Sequence, residues 1–266
     1  MSPKPLYETK LQDLPISIYQ TNEEMGQAAA AEASAIIQSA LQEKGVANAI
    51  VATGNSQLTF LAALREIEEI DWSKVNIFHM DEYVGIDPEH PASFPRFLQR
   101  HFLDYVNPKA FYPVRAQTED PETACKEYEE LLRAHPADLC ALGIGENGHL
   151  AFNDPPFADF SDPVWVKVVR LDEVSRQQQV NEGHFDSLQE VPTHAVTLTI
   201  PALLAAKQVL AIVPEARKAE AVFRTLKGPI TTDCPASILR KTSHAHLFLD
   251  ADSAAKVYQS VLDKAI

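Results

Sequence analysis

The chain has 266 residues, 45% of them hydrophobic and 23% charged, and a formal net charge of −14, the make-up of an ordinary globular chain. Its acidic balance disfavours nucleic acid and anionic membranes as partners, so any phosphate-binding patch must be local. Only 9 glycines occur where an average chain of this length carries roughly 19, and the 18 prolines are an ordinary share; collagen-like and Gly-rich disordered architectures are excluded.

The first fifteen residues, MSPKPLYETKLQDLP, carry no apolar h-region, so no signal peptide is expected. Ile16–Tyr19 reads as a short strand. Thr21-Asn-Glu-Glu then opens, in the manner of a capping box, an Ala-rich helix to about Glu43. Ala49–Thr53 is a buried strand, followed by a helix with Leu58, Leu61 and Leu64 on one face. Val75–Met80 is the next strand, Pro91–Val106 a helix, Asp120–Ala134 an acidic helix and Asp138–Ile144 a buried strand. Asp154–Pro163 reads as a surface loop. Val164–Leu171 and His194–Ile200 alternate like strands. Val209–Val213 is a strand and Glu215–Leu226 a helix. His246–Leu249 and Ala254–Leu262 close the chain as strand and helix.

This alternation predicts a single α/β domain over residues 1–266. Its expected architecture is a doubly wound, mainly parallel, Rossmann-like sheet in three layers. The three cysteines, Cys125, Cys140 and Cys234, have no CxxC spacing; an odd, sparse set fits reduced thiols in the cytoplasm. No apolar run approaches the length of a membrane span, and His149 with scattered carboxylates is no zinc pattern, so no metal and no cofactor is expected.

Ligands of such sheets bind beyond the carboxyl ends of the strands, and four strand ends are chemically loaded. Thr53-Gly54-Asn55-Ser56 is a small turn at a helix start. It can offer backbone N–H groups and hydroxyls to an anion, or be an ordinary capped turn. Met80-Asp81-Glu82-Tyr83 places adjacent carboxylates after a buried strand, where one can serve as a general base or both can cap a turn. Gly143-Ile-Gly145-Glu-Asn147-Gly148-His149 lets a backbone approach a ligand and supplies a group that exchanges protons near neutral pH. Asn147 and Asp154 can orient its imidazole. The Gly-x-Gly-x-x-Gly spacing lacks the crossover helix of a dinucleotide site. Glu215-Ala-Arg217-Lys218 puts two cations in the first turn of a helix. They oppose the helix dipole unless an anion binds there, or are simply solvated ion pairs.

Together, Met80-Asp-Glu-Tyr-Val-Gly85, His90-Pro-Ala-Ser-Phe94 and Gly143-x-Gly-x-x-Gly-His149-x-Ala-Phe-Asn153 resemble the glucosamine-6-phosphate deaminase/isomerase family, which also contains the 6-phosphogluconolactonases. The resemblance runs from about residue 20 to 255. It favours the deaminase branch, because lactonases typically read Gly-Asp-Glu-Arg and Gly-His-Thr-Ala-Ser-Leu-Phe at the first and third motifs. It implies a sugar-6-phosphate substrate, aldose–ketose isomerisation coupled to loss of ammonia, His149 as the ring-opening group and Asp81 as the proton-transfer base. Thr53, Gly54, Asn55, Ser56 and Lys218 fall where the family grips phosphate. Glu82, Gly145 and Gly148 complete the expected binding residues, with Arg176 a candidate for the family's phosphate-binding arginine.

Two positions depart from the pattern. The family carries Asp at the position of Asn147 and Glu at that of Asp154. The allosterically activated members carry Ser and basic residues just after Asn-Glu-Pro, where this chain reads Pro156-Phe-Ala-Asp-Phe-Ser-Asp-Pro163, so an N-acetylglucosamine-6-phosphate activator site is expected to be absent. The competing functions are an isomerising deaminase of glucosamine-6-phosphate or an epimer, a 6-phosphogluconolactonase, and a non-catalytic sugar-phosphate sensor. A homo-oligomer is possible, since the family includes monomers and hexamers.

Overall fold

The computed structural model describes residues 3–257. Strands β1 (Tyr7–Leu11) and β2 (Leu14–Tyr19) form a hairpin, followed by α1 (Asn22–Lys44), β3 (Ala47–Val51), α2 (Leu58–Arg65) and β4 (Val75–His79). Next come β5 (Asp81–Tyr83), α3 (Phe94–Leu98), a π-helical turn at Gln99–Leu103, α4 (Asp104–Val106), β6 (Ala110–Tyr112), α5 (Pro121–Ala134) and β7 (Leu139–Leu142). The second half holds β8 (Val166–Arg170), α6 (Glu173–Asn181), β9 (His194–Leu198), α7 (Ile200–Leu204), β10 (Gln208–Val213), α8 (Ala219–Lys227) and β11 (Ala245–Asp250).

The main sheet has the order β1-β2-β11-β10-β7-β3-β4-β6 and is parallel at every pairing except the β1–β2 hairpin. Its central strands are apolar on both faces, as expected of strands covered by helices on both sides. Successive residues feed two different cores: Ala49, Val51, Leu210 and Ile212 join one, and Ile50, Val209, Ala211 and Val213 the other. The small side chains of α1 (Ala28, Ala29, Ala33) lie in the first core, and Gly26 lets α1 approach α2 so closely that a Cβ would sit 2.8 Å from the Thr59 carbonyl carbon. Cys125, Tyr128 and Leu132 of α5, with Val222 and Leu226 of α8, fill the second core. This is the doubly wound, mainly parallel α/β architecture expected from the sequence.

Three features differ from expectation. The stretches expected at Val164–Leu171 and His194–Ile200 do form strands, but outside the main sheet: β5, β9 and β8 make a separate antiparallel sheet. The chain changes sheet at Met80, whose carbonyl accepts from Leu198 N at 2.8 Å. The hairpin strand β1 is exposed along almost all its length, so it has no apolar signature. Asp154, read as the start of a surface loop, is fully buried. Of the closing helix expected over Ala254–Leu262, Ala254 lies in a turn, residues 255–257 are helical and residues 258–262 lie outside the described residues. The three cysteines are buried and unpaired. Among the described residues no helix is long and apolar enough to cross a membrane.

Candidate active site

Parallel strands place their carboxyl ends on one side of a sheet, and here the ends of β3, β4, β7 and β10 open into one cleft. Its empty volume, mouth included, is about 600 Å³. One end of it gathers groups that can hold an anion. Gly54 has φ 98° and ψ 163°, a conformation essentially reserved for glycine, and this turns Thr53 and Ser56 toward the cleft. Gln57 is buried and donates from Nε2 to Ser56 Oγ at 3.2 Å and to the Ile212 carbonyl at 3.1 Å. Because Ser56 accepts there, its own hydroxyl proton is free to point at a ligand. Gly143 meets this turn from the other side: a Cβ on it would lie 3.0 Å from Gln57 Nε2 and 3.6 Å from Ser56 Oγ.

Lys218 reaches the same end from the turn after β10. The turn is held by Glu215, a non-glycine residue at φ 80°, whose N–H is clamped by both carboxylate oxygens of Asp250 (3.2 and 3.0 Å). Lys218 is 3% exposed, lines the cleft, and its ammonium makes no hydrogen bond or ion pair with the described residues. Burial, with the neighbouring Arg217 charge, lowers its pKa to about 8, against the pull of Glu182, Glu146 and Glu215. Those carboxylates belong to Arg217, which pairs with Glu182, with Glu215 at 2.5 Å and with Glu146 at 3.6 Å. Glu182 lines the cleft already committed to Arg217 and to Gln178 (2.6 Å).

The other end carries proton-transfer chemistry. Asp81 lines the cleft and is 7% exposed, and its carboxylate has no hydrogen-bond partner among the described residues. Burial, then the charge of Glu82, raises its pKa well above the ordinary carboxylate range. The His149 ring lies across Gly145 so closely that a Cβ there would sit 2.2 Å from ring atoms, which is why only glycine serves at 145. Gly145 N donates to the His149 carbonyl at 3.0 Å, and Gly148 N to the Gly145 carbonyl at 2.9 Å, closing the turn. Nδ1 of His149 is 3.0 Å from Asp154 Oδ1 and 3.0 Å from Ser175 Oγ. Burial alone would raise the Asp154 pKa. The hydrogen bond and charge of His149, with donors on Asn147 and Ser175, outweigh it and hold the carboxyl well below its usual range.

Of the expected site residues, Thr53, Gly54, Ser56, Asp81, Gly145, His149 and Lys218 line this one cleft, and Asp154 stands directly behind His149. Five are placed differently. Glu82, the neighbour of Asp81 in a strand where successive side chains face opposite ways, is turned from the cleft. Its carboxylate accepts from Tyr83 N (2.8 Å), Ser93 Oγ (2.9 Å) and Phe94 N (3.1 Å), and burial nevertheless pushes its pKa up to about 7. Asn147 does not touch the imidazole: its Oδ1 accepts from the His149 backbone N–H at 3.0 Å and its Nδ2 donates to Asp154 Oδ1 at 3.0 Å. Gly148, at φ 91°, packs against Cys234. Asn55 is outside the cleft lining and its Nδ2 is 3.5 Å from the Glu182 carbonyl. Arg176 also faces away, pinning the loop after α6 through the carbonyls of Leu188 (2.5 Å) and Val191 (2.8 Å).

Sequence reasoning missed Gln57, Ser175, Gln178, Gln179 and Glu182. Ser175 is fully buried, and a serine in a polar stretch carries no signal of that. Gln178, Gln179 and Glu182 stand at one helix face and its end, all lining the cleft. Among the described residues no three His, Cys, Asp or Glu side chains gather as a metal site.

A partnerless carboxylate and a carboxylate-backed imidazole in one cleft at the strand ends define an acid–base enzyme of the parallel α/β class. Residues 20–248 match the family described as glucosamine-6-phosphate isomerases/6-phosphogluconolactonase, and the chain belongs to that family. A glucosamine-6-phosphate deaminase of Exiguobacterium sibiricum is 39% identical over 207 residues, 77% of this chain and 79% of that protein. Among solved structures, a monomeric glucosamine-6-phosphate deaminase matches with a TM-score of 0.83 at 30% identity, over 90% of this chain and 98% of that one. A 6-phosphogluconolactonase of Shewanella baltica shares the fold, with a TM-score of 0.74 at 20% identity over 91% of this chain and 100% of that one.

Proposed function

We propose that the protein is an isomerising deaminase that converts glucosamine-6-phosphate, or an epimeric amino-sugar 6-phosphate, and water to the matching ketose 6-phosphate and ammonia. The observation that carries this reading is the joint placement of bare Asp81, backed His149 and bare Lys218 on one cleft. The deaminase relatives at 30% and 39% identity support it.

In this reading the phosphate lies against the Thr53–Ser56 turn and Lys218, which supply backbone and hydroxyl donors and one full charge. His149 takes the anomeric hydroxyl proton and delivers a proton to the ring oxygen, opening the pyranose. Asp154 stabilises the imidazolium formed in between. Asp81, ionised, then removes the proton from C2 of the open-chain aldehyde. The resulting enolamine takes a proton at C1 from Asp81, which exchanges with solvent in between, and becomes a ketimine at C2. Water adds to the ketimine carbon and ammonia leaves, giving the ketose phosphate. A base whose proton affinity is raised by burial is suited to this abstraction. His149, Asp81, Thr53, Gly54, Ser56, Gly145 and Lys218 are the residues assigned to binding and chemistry, with Asp154 and Asn147 behind them.

The test is a parallel assay of ammonium, ketose phosphate and lactone hydrolysis. Glucosamine-6-phosphate, galactosamine-6-phosphate and 6-phosphogluconolactone are supplied in turn. Equal amounts of ammonium and ketose phosphate from an amino sugar are expected. Lactone opening without ammonium release would overturn the reading in favour of a lactonase.

A further inference from the structure

We infer that Ser175 is a positioning residue for His149, and that the N-terminus of α6 is the support on which the ring-opening pair is mounted. The inference deepens the deaminase reading and rests on its assignment of His149.

Four donors converge on one carboxylate. Asp154 Oδ1 faces His149 Nδ1 (3.0 Å), Asn147 Nδ2 (3.0 Å) and, at the closest approach, Ser175 Oγ, while Oδ2 accepts from Asp172 N at 3.2 Å. Asp172 is the N-cap of α6 and Ser175 lies in its first turn. Asp154 therefore sits where a helix N-terminus favours a negative charge, and both its oxygens are tied to that one helix end.

Proton counting fixes the direction of each bond. The Asp154 carboxyl is held in its ionised form and brings no proton. Its short contact with Ser175 must then use the serine's only proton. Ser175 Oγ is thereby left as an acceptor toward His149 Nδ1 at 3.0 Å. The Nδ1 proton is shared between Asp154 and Ser175, so in the neutral tautomer of the ring Nε2 is the nitrogen left without one. Nε2 has no hydrogen-bond partner among the described residues, and the ring lines the cleft. The hydroxyl thus fixes both the tautomer and the tilt of the ring. Asn147 belongs to the same device: its amide donates to Asp154 while accepting from the His149 N–H, whereas an ionised carboxylate at 147 would face Asp154 with no proton between them.

The experiment compares wild type with Ser175→Ala and with Ser175→Thr, which keeps the hydroxyl, and reads two signals. The first needs no substrate. In ¹⁵N-resolved NMR of the free protein, the His149 Nδ1–H resonance should shift and exchange with water at least about tenfold faster in Ser175→Ala, as expected for loss of one hydrogen bond. It should stay near the wild-type position in Ser175→Thr. Unchanged signals in the alanine variant, or equal disturbance in both variants, would overturn the inference.

The second reads catalysis. Ser175→Ala should lower kcat for amino-sugar phosphate about tenfold with KM within about twofold, and this loss should vanish in an Asp154→Asn background. A loss that persists there marks a merely structural role and overturns the inference. A wild type that releases no ammonium would instead fail the functional reading, and the NMR arm would still judge Ser175.

Discussion

The turns after β7 and β10 face one cleft but treat charge in opposite ways. After β7, charge is paired: Asp154 is wrapped by His149, Asn147, Ser175 and the α6 terminus. After β10, the carboxylates are drawn off by Arg217, and Lys218 is left buried and alone. Burying a charge is costly unless it is paired. The protein pairs it where a ring must be held in one orientation and leaves it unpaired where a ligand can supply the partner. Asp81, at the start of β5, follows the second pattern, its buried carboxylate left without a hydrogen-bond partner among the described residues.

The largest effect expected from breaking this contrast is at Asp81. Asp81→Asn should lower kcat about 10³-fold, within the range for loss of a general base, while thermal stabilisation by the product ketose phosphate persists. Asp154→Asn should cost about 10²-fold in kcat with little change in KM, because it removes the partner of the imidazolium and leaves the anion end intact.

Lys218→Met should act on the other end. KM should rise about 10- to 100-fold, the equivalent of one charge-assisted hydrogen bond of ~1.5–3 kcal/mol, with kcat altered less. Its pH dependence follows from the two bare groups. In wild type, kcat/KM should rise on the acid side as Asp81 ionises, and fall as pH passes about 8 and Lys218 loses its proton. The alkaline fall should be absent in Lys218→Met.

Stability gives an independent check. A lysine lowered from 10.5 to about 8 binds its proton less tightly folded than unfolded. The penalty of burying its charge is therefore complete below pH 8 and is relieved as pH rises from about 8 to 10.5. Lys218→Met should raise Tm at pH 7, and the gain should shrink across that window.

A smaller effect is expected at Asn147. Asn147→Asp places a second carboxylate 3.0 Å from Asp154 Oδ1 and should move the acid limb of kcat upward, with a few-fold loss at pH 7. An unchanged profile would blunt the claim that the amide's proton is what the site uses there.

The contrast was half visible in the sequence. Apolar runs that end in polar clusters at Thr53, Asp81, Gly143 and Lys218 mark strand ends, and in a parallel sheet those ends must converge. The two cores could likewise be anticipated from fully apolar strands such as β7. What sequence could not supply were contacts made by long-range packing. Ser175 meets His149 because β8 leaves the main sheet and delivers α6 beside the Gly145 turn. Arg176, one residue on, faces the opposite way into a loop. Glu82 and Asp81 are adjacent in sequence, yet the pleat sends one to Ser93 and the other to the cleft. Five of the scarce glycines fall in the strand-end and family motifs: Gly54, Gly143 and Gly145 line the cleft, Gly148 packs on Cys234, and Gly85 closes a turn onto the Ala116 carbonyl at 3.1 Å.

The most direct test of the account is amino-sugar phosphate turnover in D₂O by wild type and Asp81→Asn. The account predicts that the wild type releases ammonium and forms ketose phosphate carrying solvent deuterium at C1, and that Asp81→Asn loses both while still binding the product. Undiminished turnover and labelling in Asp81→Asn would contradict it.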